Sequence, residues 1–123
     1  MAKATAEAFP HEVRIVRSSD YQAIYKAGWK IHSRRFILFV RTNKLGRSRL
    51  GLTVSRKVGG AVIRNRIKRL FREVFRKSYS EIPNQLDIVV NAKSGCAGVS
   101  YFELRAEFLD AVQKHCRQSR FAK

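Results

Sequence analysis

The spacing of apolar residues along the chain predicts three helices and three strands. The central helix shows the pattern best, starting at residue 61 and ending by residue 79. Its apolar side chains share an arc roughly 100° wide, at about 100° per residue: Ile63, Ile67, Leu70, Phe71 and Val74. One side of this helix is therefore suited to a hydrophobic core.

Two runs of alternating residues predict neighbouring strands over 31–41 and 49–55. In the second run one face carries large apolar side chains, and the other carries Gly51, Thr53 and Ser55. A small face that contains glycine suits the close approach of a ligand backbone. A short apolar run predicts a third strand over 86–91.

Two further helices are predicted by possible capping boxes, in which a serine is followed three residues later by Gln or Glu. Ser19 and Gln22 open a short helix over residues 19–26, with Gly28 as its stop. Ser100 and Glu103 open the last helix. Its apolar side should contact the core through Tyr101, Leu104, Phe108, Ala111 and Val112.

The order α-β-β-α-β-α predicts an α/β chain, more specifically an α+β sandwich around a small central sheet with one helix in a crossover. The length favours a single domain over residues 1–123. Residues 1–14 and 117–123 show no sustained apolar period, so we expect flexible arms there.

The outer face of the central helix carries almost nothing but positive charge, with Arg64 and Arg66 at the borders of the apolar arc. A charged helix face is most often only solvated. The whole chain, however, has 26 Lys and Arg against 9 Asp and Glu, a net charge of +17. Because a small domain normally keeps a net charge of magnitude ~2–8, this excess indicates a nucleic-acid binder.

Other classes of protein find little support. No run approaches the ~18 apolar residues of a membrane span, and the first residues do not resemble a secretion signal. Cys96 and Cys116 are too few for a disulfide framework, and no Cys and His spacing suggests zinc. No nucleophile signature and no cluster of acids is visible. We therefore expect a cytoplasmic protein whose own side chains do little chemistry.

Tyr21 and Tyr25 lie four residues apart and share one face of the first helix. They suit two roles equally well: part of the core, or a platform for bases in a half-open cleft.

Several motifs together resemble the protein subunit of bacterial ribonuclease P. The central run Arg-Asn-Arg-Ile-Lys-Arg-Leu at residues 64–70 is similar to the family's RNR signature. Gly-Leu-Thr-Val-Ser-Arg-Lys-Val-Gly at 51–59 and Arg-Arg-Phe-Ile-Leu-Phe at 34–39 support it. The resemblance spans roughly residues 14 to 114.

This resemblance implies a ribonucleoprotein that removes the 5′ leader from precursor tRNA, in which the RNA subunit holds the catalytic Mg²⁺. It implies a left-handed β-α-β crossover, against the usual right hand. Neither a membrane nor a DNA partner is expected, and no metal ligand in the protein is assigned. The positions implied to contact the RNA subunit are Arg56, Lys57, Arg64, Asn65, Arg66, Lys68, Arg69, Arg72 and Arg76. Those implied to contact the leader are Tyr21, Tyr25 and Phe39.

Three rival interpretations fit parts of the sequence. A ribosomal protein would explain the charge but not a leader cleft. A DNA-binding regulator would need a second helix before the basic one, where the sequence has a strand and a Gly-Gly turn. A self-contained nuclease would need clustered acids.

Overall fold

The computed structural model describes residues 13–83 and 85–122, with side chains through Cys116. Within this range three α-helices and four strands follow one another, with short 3₁₀ turns at Tyr79–Glu81 and Ser94–Cys96. Their bounds are α1 Ser18–Ala27, β1 Trp29–His32, β2 Phe36–Thr42, β3 Arg49–Thr53, α2 Ala61–Lys77, β4 Leu86–Ala92 and α3 Tyr101–Ala122.

The strands form one mixed sheet in the order β1-β2-β4-β3. The pairs β1–β2 and β2–β4 are antiparallel, whereas β3 and β4 run parallel. Parallel neighbours need a crossover, and α2 supplies it. The predicted α+β class with one helix-bearing crossover is confirmed. The left hand of that crossover stays a prediction from the resemblance.

The two faces of the sheet are covered unequally. On one face α2 and α3 pack against the strands, where the rings of Phe36, Phe71 and Phe108 meet with centroids 5.6–6.5 Å apart. On the other face α1 contributes Ile24, which packs with Ile15 and Val89. The face under α2 and α3 is therefore part of the closed hydrophobic core, whereas the face under α1 is only partly covered.

The prediction of one strand over residues 31–41 is wrong, because a turn at residues 33–35 divides it into β1 and β2. The Glu107 carboxylate of α3 holds this turn: it accepts hydrogen bonds from the Ser33 hydroxyl and from the Arg35 backbone and side chain. The acceptor comes from 72 residues away. No local pattern could have revealed it.

Two predictions about helix starts are also corrected. Ser19 is not a cap: α1 starts at Ser18 after Arg17, and no side chain caps it. Ile63 is not a core residue: it is 40% exposed, and its side chain lies against Gly59 of the turn before α2. The capping box of α3 is confirmed, since Ser100 and Glu103 exchange backbone-to-side-chain hydrogen bonds at 3.2 Å.

The predicted terminal arms lie mostly outside the described residues. Where the structure begins, Val13 packs against the core and Arg14 bridges to Leu50 of β3, so the arm predicted for residues 1–14 ends sooner. The backbone of α3 continues to Ala122. In the described part of the chain, no helix combines the length and the apolarity needed to span a membrane.

Candidate nucleic-acid interface

The three aromatic residues predicted to form a cleft are neighbours between α1 and the sheet. The rings of Tyr25 and Phe39 meet edge to face with centroids 4.8 Å apart, and the rings of Tyr21 and Tyr25 lie 6.4 Å apart. The Lys30 ammonium lies 5.7 Å from the centroid of Phe39. Lys30 adds a cation that was not predicted from the sequence. The one feature that could have indicated it is its position in the short strand β1, beside Phe39.

Tyr25 is 36% exposed, and its hydroxyl is anchored to the sheet. It donates to Asn91 Oδ1 at 2.9 Å and lies 3.1 Å from Thr53 Oγ1. Because Tyr25 has one proton to give, Thr53 must be the donor in the second bond. The ring is thereby fixed with one side open. Asn91 was missed in the sequence, where it looked like the end of a buried strand.

Tyr21 lies deeper and holds α1 to β3. Its hydroxyl accepts a hydrogen bond from the Leu52 backbone N–H at 3.2 Å. Burial raises the pKa of Tyr21, so the phenol stays protonated at neutral pH. The small face of β3 does allow a close approach, but by this ring: a Cβ added to Gly51 would lie 2.8 Å from the Tyr21 hydroxyl.

Two hollows meet at Tyr21. The larger, about 450 Å³, is open to solvent between α1 and β3 and includes Val16, Gln22, Tyr25 and Thr53 in its lining. The smaller, about 110 Å³, lies between β3 and α2 and is lined in part by Lys68, Arg72 and Arg14. We call the larger hollow the aromatic cleft and the smaller one the basic crevice. The two hollows are therefore contiguous, and Phe39 contacts Tyr25 but lines neither of them.

The outer face of α2 and the turn before it expose half of the predicted cations. Arg56 and Lys57 precede the helix and are exposed, as are Asn65, Arg69 and Arg72 on it. Glu73, the one acid of α2, pairs with Arg76 at 3.0 Å and with Lys77 at 3.2 Å. These two pairs lie near the carboxyl end of α2, so the first three turns keep their positive charge.

Arg64 and Arg66 are partly buried. Their predicted position at the borders of the apolar arc of α2 is therefore only approximately right. Arg66 Nη2 donates to the carbonyl of Val99 at 2.7 Å, which ties α2 to the loop before α3. Arg64 Nε and Arg66 Nη1 are buried without a hydrogen-bond partner among the described residues. Arg66 therefore has a structural contact in addition to its predicted one.

A carboxylate at the opposite end of the sheet organises three strands. Asp87 of β4 is fully buried and accepts two hydrogen bonds from Arg49 at 2.9 Å and one from Asn43 at 2.7 Å. Burial raises the pKa of Asp87, but these partners and the charge of Arg41 outweigh it, so its pKa lies below the ordinary value. Arg49 also reaches Asp20 of α1, at 3.6 Å. In the sequence, the one sign of this network was a single acid in an apolar run.

Among the described residues, no group of three or more His, Cys, Asp or Glu side chains could hold a metal ion. Cys96 is buried, and burial raises its pKa to about 11. Its thiol is therefore not a thiolate at neutral pH and would be a poor ligand or nucleophile.

Comparison with known proteins agrees with this geometry. A family model described as Ribonuclease P matches residues 9–116. The ribonuclease P protein component of Desulfovibrio desulfuricans is 40% identical over 112 residues, covering 88% of this chain and 86% of the relative. That of Clostridium kluyveri is 37% identical over 103 residues, covering 82% and 92%.

Solved structures give the same result. The RNase P protein of Staphylococcus aureus superposes with a TM-score of 0.76 at 34% identity, covering 84% of this chain and 94% of that one. The RNase P protein from Thermotoga maritima does so with a TM-score of 0.76 at 32% identity, covering 82% and 96%. Sequence, fold and basic helix thus lead to one conclusion: the chain belongs to the family of ribonuclease P protein components.

Proposed function

We propose that this chain binds two RNAs at once within ribonuclease P. The outer face of α2 holds the catalytic RNA subunit, and the aromatic cleft holds the 5′ leader of precursor tRNA. The ribonucleoprotein then cleaves the leader to give the mature 5′ end. The observation that carries the proposal is that the cleft and the basic crevice share Tyr21, so that a leader in the cleft lies next to cations of α2.

The cleft suits single-stranded RNA. Single strands are held by aromatic platforms in a basic groove, at about 1–3 kcal/mol per stacked base. Tyr25 offers a ring that is fixed at its hydroxyl end and open to solvent. Lys68 and Arg72, which the resemblance assigns to the RNA subunit, line the adjoining crevice and so place positive charge beside the leader as well. A leader base on Tyr25 would thus have cations close to its backbone.

The outer face of α2 suits structured RNA, which proteins grip mainly through phosphates and shape. Arg56, Lys57, Arg69 and their neighbours are displayed on a rigid helix and the turn before it. Three turns of this helix lack an acid to neutralise them, and a polyanion relieves the resulting repulsion. We assign this face to the RNA subunit.

We propose that the magnesium ions of the reaction belong to the RNA subunit. The described side chains do not fit a metal site, as set out above. When bound, such ions would activate the attacking water and stabilise the leaving oxygen. The protein would bind and orient the leader, and it would hold the phosphates that flank it. A cytoplasmic location would follow from the substrate and stays a prediction.

The test of the leader cleft is the Tyr25→Ala variant, reconstituted with a bacterial ribonuclease P RNA. We expect precursor tRNA to bind about five- to a hundredfold more weakly, the equivalent of one stacked base. Mature tRNA should bind unchanged, because it has no leader. Tyr101→Ala is the matched control: Tyr101 is a partly buried tyrosine of α3, outside the cleft.

Thermal unfolding is measured beside both affinities. A large drop in melting temperature, with equal losses for precursor and mature tRNA, would show that Tyr25 supports the fold and not the leader. The protein without the RNA subunit should not cleave precursor tRNA. Cleavage by the protein alone that a point mutation in the protein abolishes would contradict the assignment of the chemistry to the RNA.

A further inference from the structure

An acid beside a cleft proposed for RNA needs an explanation. Asp20 is the only carboxylate of α1, next to Tyr21 in the sequence, in a chain with 26 Lys and Arg. Its charge repels a polyanion. The usual reason for an acid in the first turn is the helix dipole, yet any of the first positions would serve that purpose.

The position of Asp20 has a specific partner. Its carboxylate lies 3.6 Å from Arg49 Nη1, with side-chain exposures of 29% for Asp20 and 15% for Arg49. Arg49 is itself immobilised, because its Nε and Nη2 both bind the buried Asp87 at 2.9 Å. Asp87 in turn is held by Asn43 and approached by Arg41. Asp20 thus joins α1 to a rigid group inside the sheet.

This contact completes the attachment of α1 at its amino end. The helix lacks a side-chain cap there. Its middle is fixed by Ile24 against Val89, and its later turns are fixed by the Tyr25 hydroxyl on Thr53 and Asn91. Without Asp20, the first turn and Tyr21 would be held by the Leu52 hydrogen bond, by apolar contact and by the Ile15 backbone bond to Leu50 just before the helix.

We propose that Asp20, through Arg49 and Asp87, is a positioning residue that sets the distance of α1 from the sheet and hence the width of the aromatic cleft. The proposal rests on the assignment of that cleft to the leader. Asp20 makes no contact with RNA in this role. An ion pair between partly exposed side chains contributes little to stability, so the effect of this one should appear in the geometry of the cleft.

The proposal makes a prediction opposite in sign to simple electrostatics. Asp20→Asn removes a negative charge beside a bound polyanion, which by itself should tighten every RNA complex. If Asp20 positions α1, precursor tRNA should instead bind the reconstituted enzyme about five- to tenfold more weakly, at the low end of couplings between separated groups. Affinity for mature tRNA should be unchanged or slightly higher.

Two further variants separate positioning from other effects. Ser19→Asp combined with Asp20→Asn restores an acid to the first turn for the dipole but not at the position that faces Arg49, so it should not recover precursor binding. Asp20→Glu keeps the carboxylate and should therefore retain most of the affinity for precursor tRNA. Amide hydrogen exchange should rise across Ser18–Ala27 in Asp20→Asn and remain unchanged in α3.

Tyr25→Ala is measured in the same series. If Tyr25→Ala loses precursor binding while Asp20→Asn binds both tRNAs as tightly as the native protein or more tightly, the positioning role is overturned and the cleft stands. If neither variant changes the preference for precursor tRNA, both assignments fall. Full recovery by the double variant would also overturn the proposal, because the dipole alone would then explain Asp20.

Discussion

The two faces of the sheet differ in how completely they are covered. The face under α2 and α3 is closed by interlocking rings, with Phe36, Phe71 and Phe108 almost fully buried. The face under α1 buries a small apolar cluster of Ile15, Ile24 and Val89 and leaves aromatic rings at its margin. One short helix cannot cover four strands. The uncovered remainder is where a ligand can reach the sheet.

This difference separates stability from function. On the closed face a side chain is surrounded by other side chains, so truncation leaves a cavity. On the open face a ring such as Tyr25 has hydrogen bonds below it and solvent above it. Substitutions on the two faces should therefore be distinguishable by comparing unfolding with RNA affinity.

The largest effect is expected on the closed face. Phe71→Ala should lower the free energy of unfolding by about 3–5 kcal/mol, because it removes a buried ring between two others. Any loss of RNA affinity should be the same for every RNA, because it would come only from the lower stability of the protein. Denaturant unfolding checks the first effect, and the ratio of precursor to mature tRNA affinity checks the second. If folded Phe71→Ala protein had a changed ratio of precursor to mature tRNA affinity, the distinction between the two faces of the sheet would be contradicted.

The Asp87 network gives a prediction about pH. A carboxyl whose pKa is lowered by folding adds stability that is present above its ordinary pKa and lost as the pH falls through the lowered one. Asp87→Asn should cost about 3 kcal/mol at neutral pH, since it removes the carboxylate that binds the Arg49 guanidinium through two hydrogen bonds and leaves that partly buried charge with the longer contact to Asp20. The cost should shrink at about pH 3, below the ordinary pKa of aspartate.

Unfolding curves at the two pH values test this, with Asp110→Asn as the control. Asp110 is an exposed acid on α3 whose side chain is 64% accessible and pairs with Lys114 at 3.8 Å. Its replacement should change little at either pH. If Asp87→Asn lowered the free energy of unfolding equally at both pH values, the negative charge of Asp87 would not be the source of the stabilisation.

The border of the closed face is tested by two arginines of α2. Arg66→Ala should lower stability by about 1.5–3 kcal/mol, since it removes a charge-assisted hydrogen bond to the Val99 carbonyl. Arg69→Ala removes the same charge from an exposed position and should leave stability unchanged. Both should weaken assembly with the RNA subunit in filter binding at low salt, and less so at high salt. An Arg66→Ala protein as stable as the native one would show that this contact is dispensable.

The smallest effect is expected from Tyr25→Phe, which keeps the ring and removes its anchor. Precursor affinity should fall about two- to tenfold, equivalent to the ~0.5–1.5 kcal/mol of one hydrogen bond. Mature tRNA should again bind as before. A loss as large as that of Tyr25→Ala would indicate that the hydroxyl, and not stacking, holds the leader.

Local pattern was enough to predict most elements. The apolar arc of α2 predicted the burial of Ile67, Phe71 and Val74, and the second capping box predicted the start of α3. Aromatic spacing placed Tyr21 and Tyr25 together. These features depend on residues within a few positions of one another.

What could not be predicted depends on contacts between distant residues. Glu107 breaks the strand expected over 31–41 from a helix at the other end of the chain. Asn91 meets Tyr25 only because β4 inserts between β2 and β3. Arg66 looked like a surface cation because the Val99 carbonyl that receives it has no side-chain signature. The strand order, which no single segment specifies, decides these cases.

Gly51 has a consequence for how this cleft can evolve. A Cβ at that position would lie 2.8–2.9 Å from three atoms of the Tyr21 ring, too close for the ring to stay where it is. Alanine at 51 is therefore incompatible with tyrosine at 21 unless α1 moves. Position 51 can gain a side chain only after position 21 has lost its ring, whereas position 21 can change while Gly51 stays, so the order of the two changes is constrained. A lineage that lost this glycine would have to rebuild the cleft around a smaller side chain.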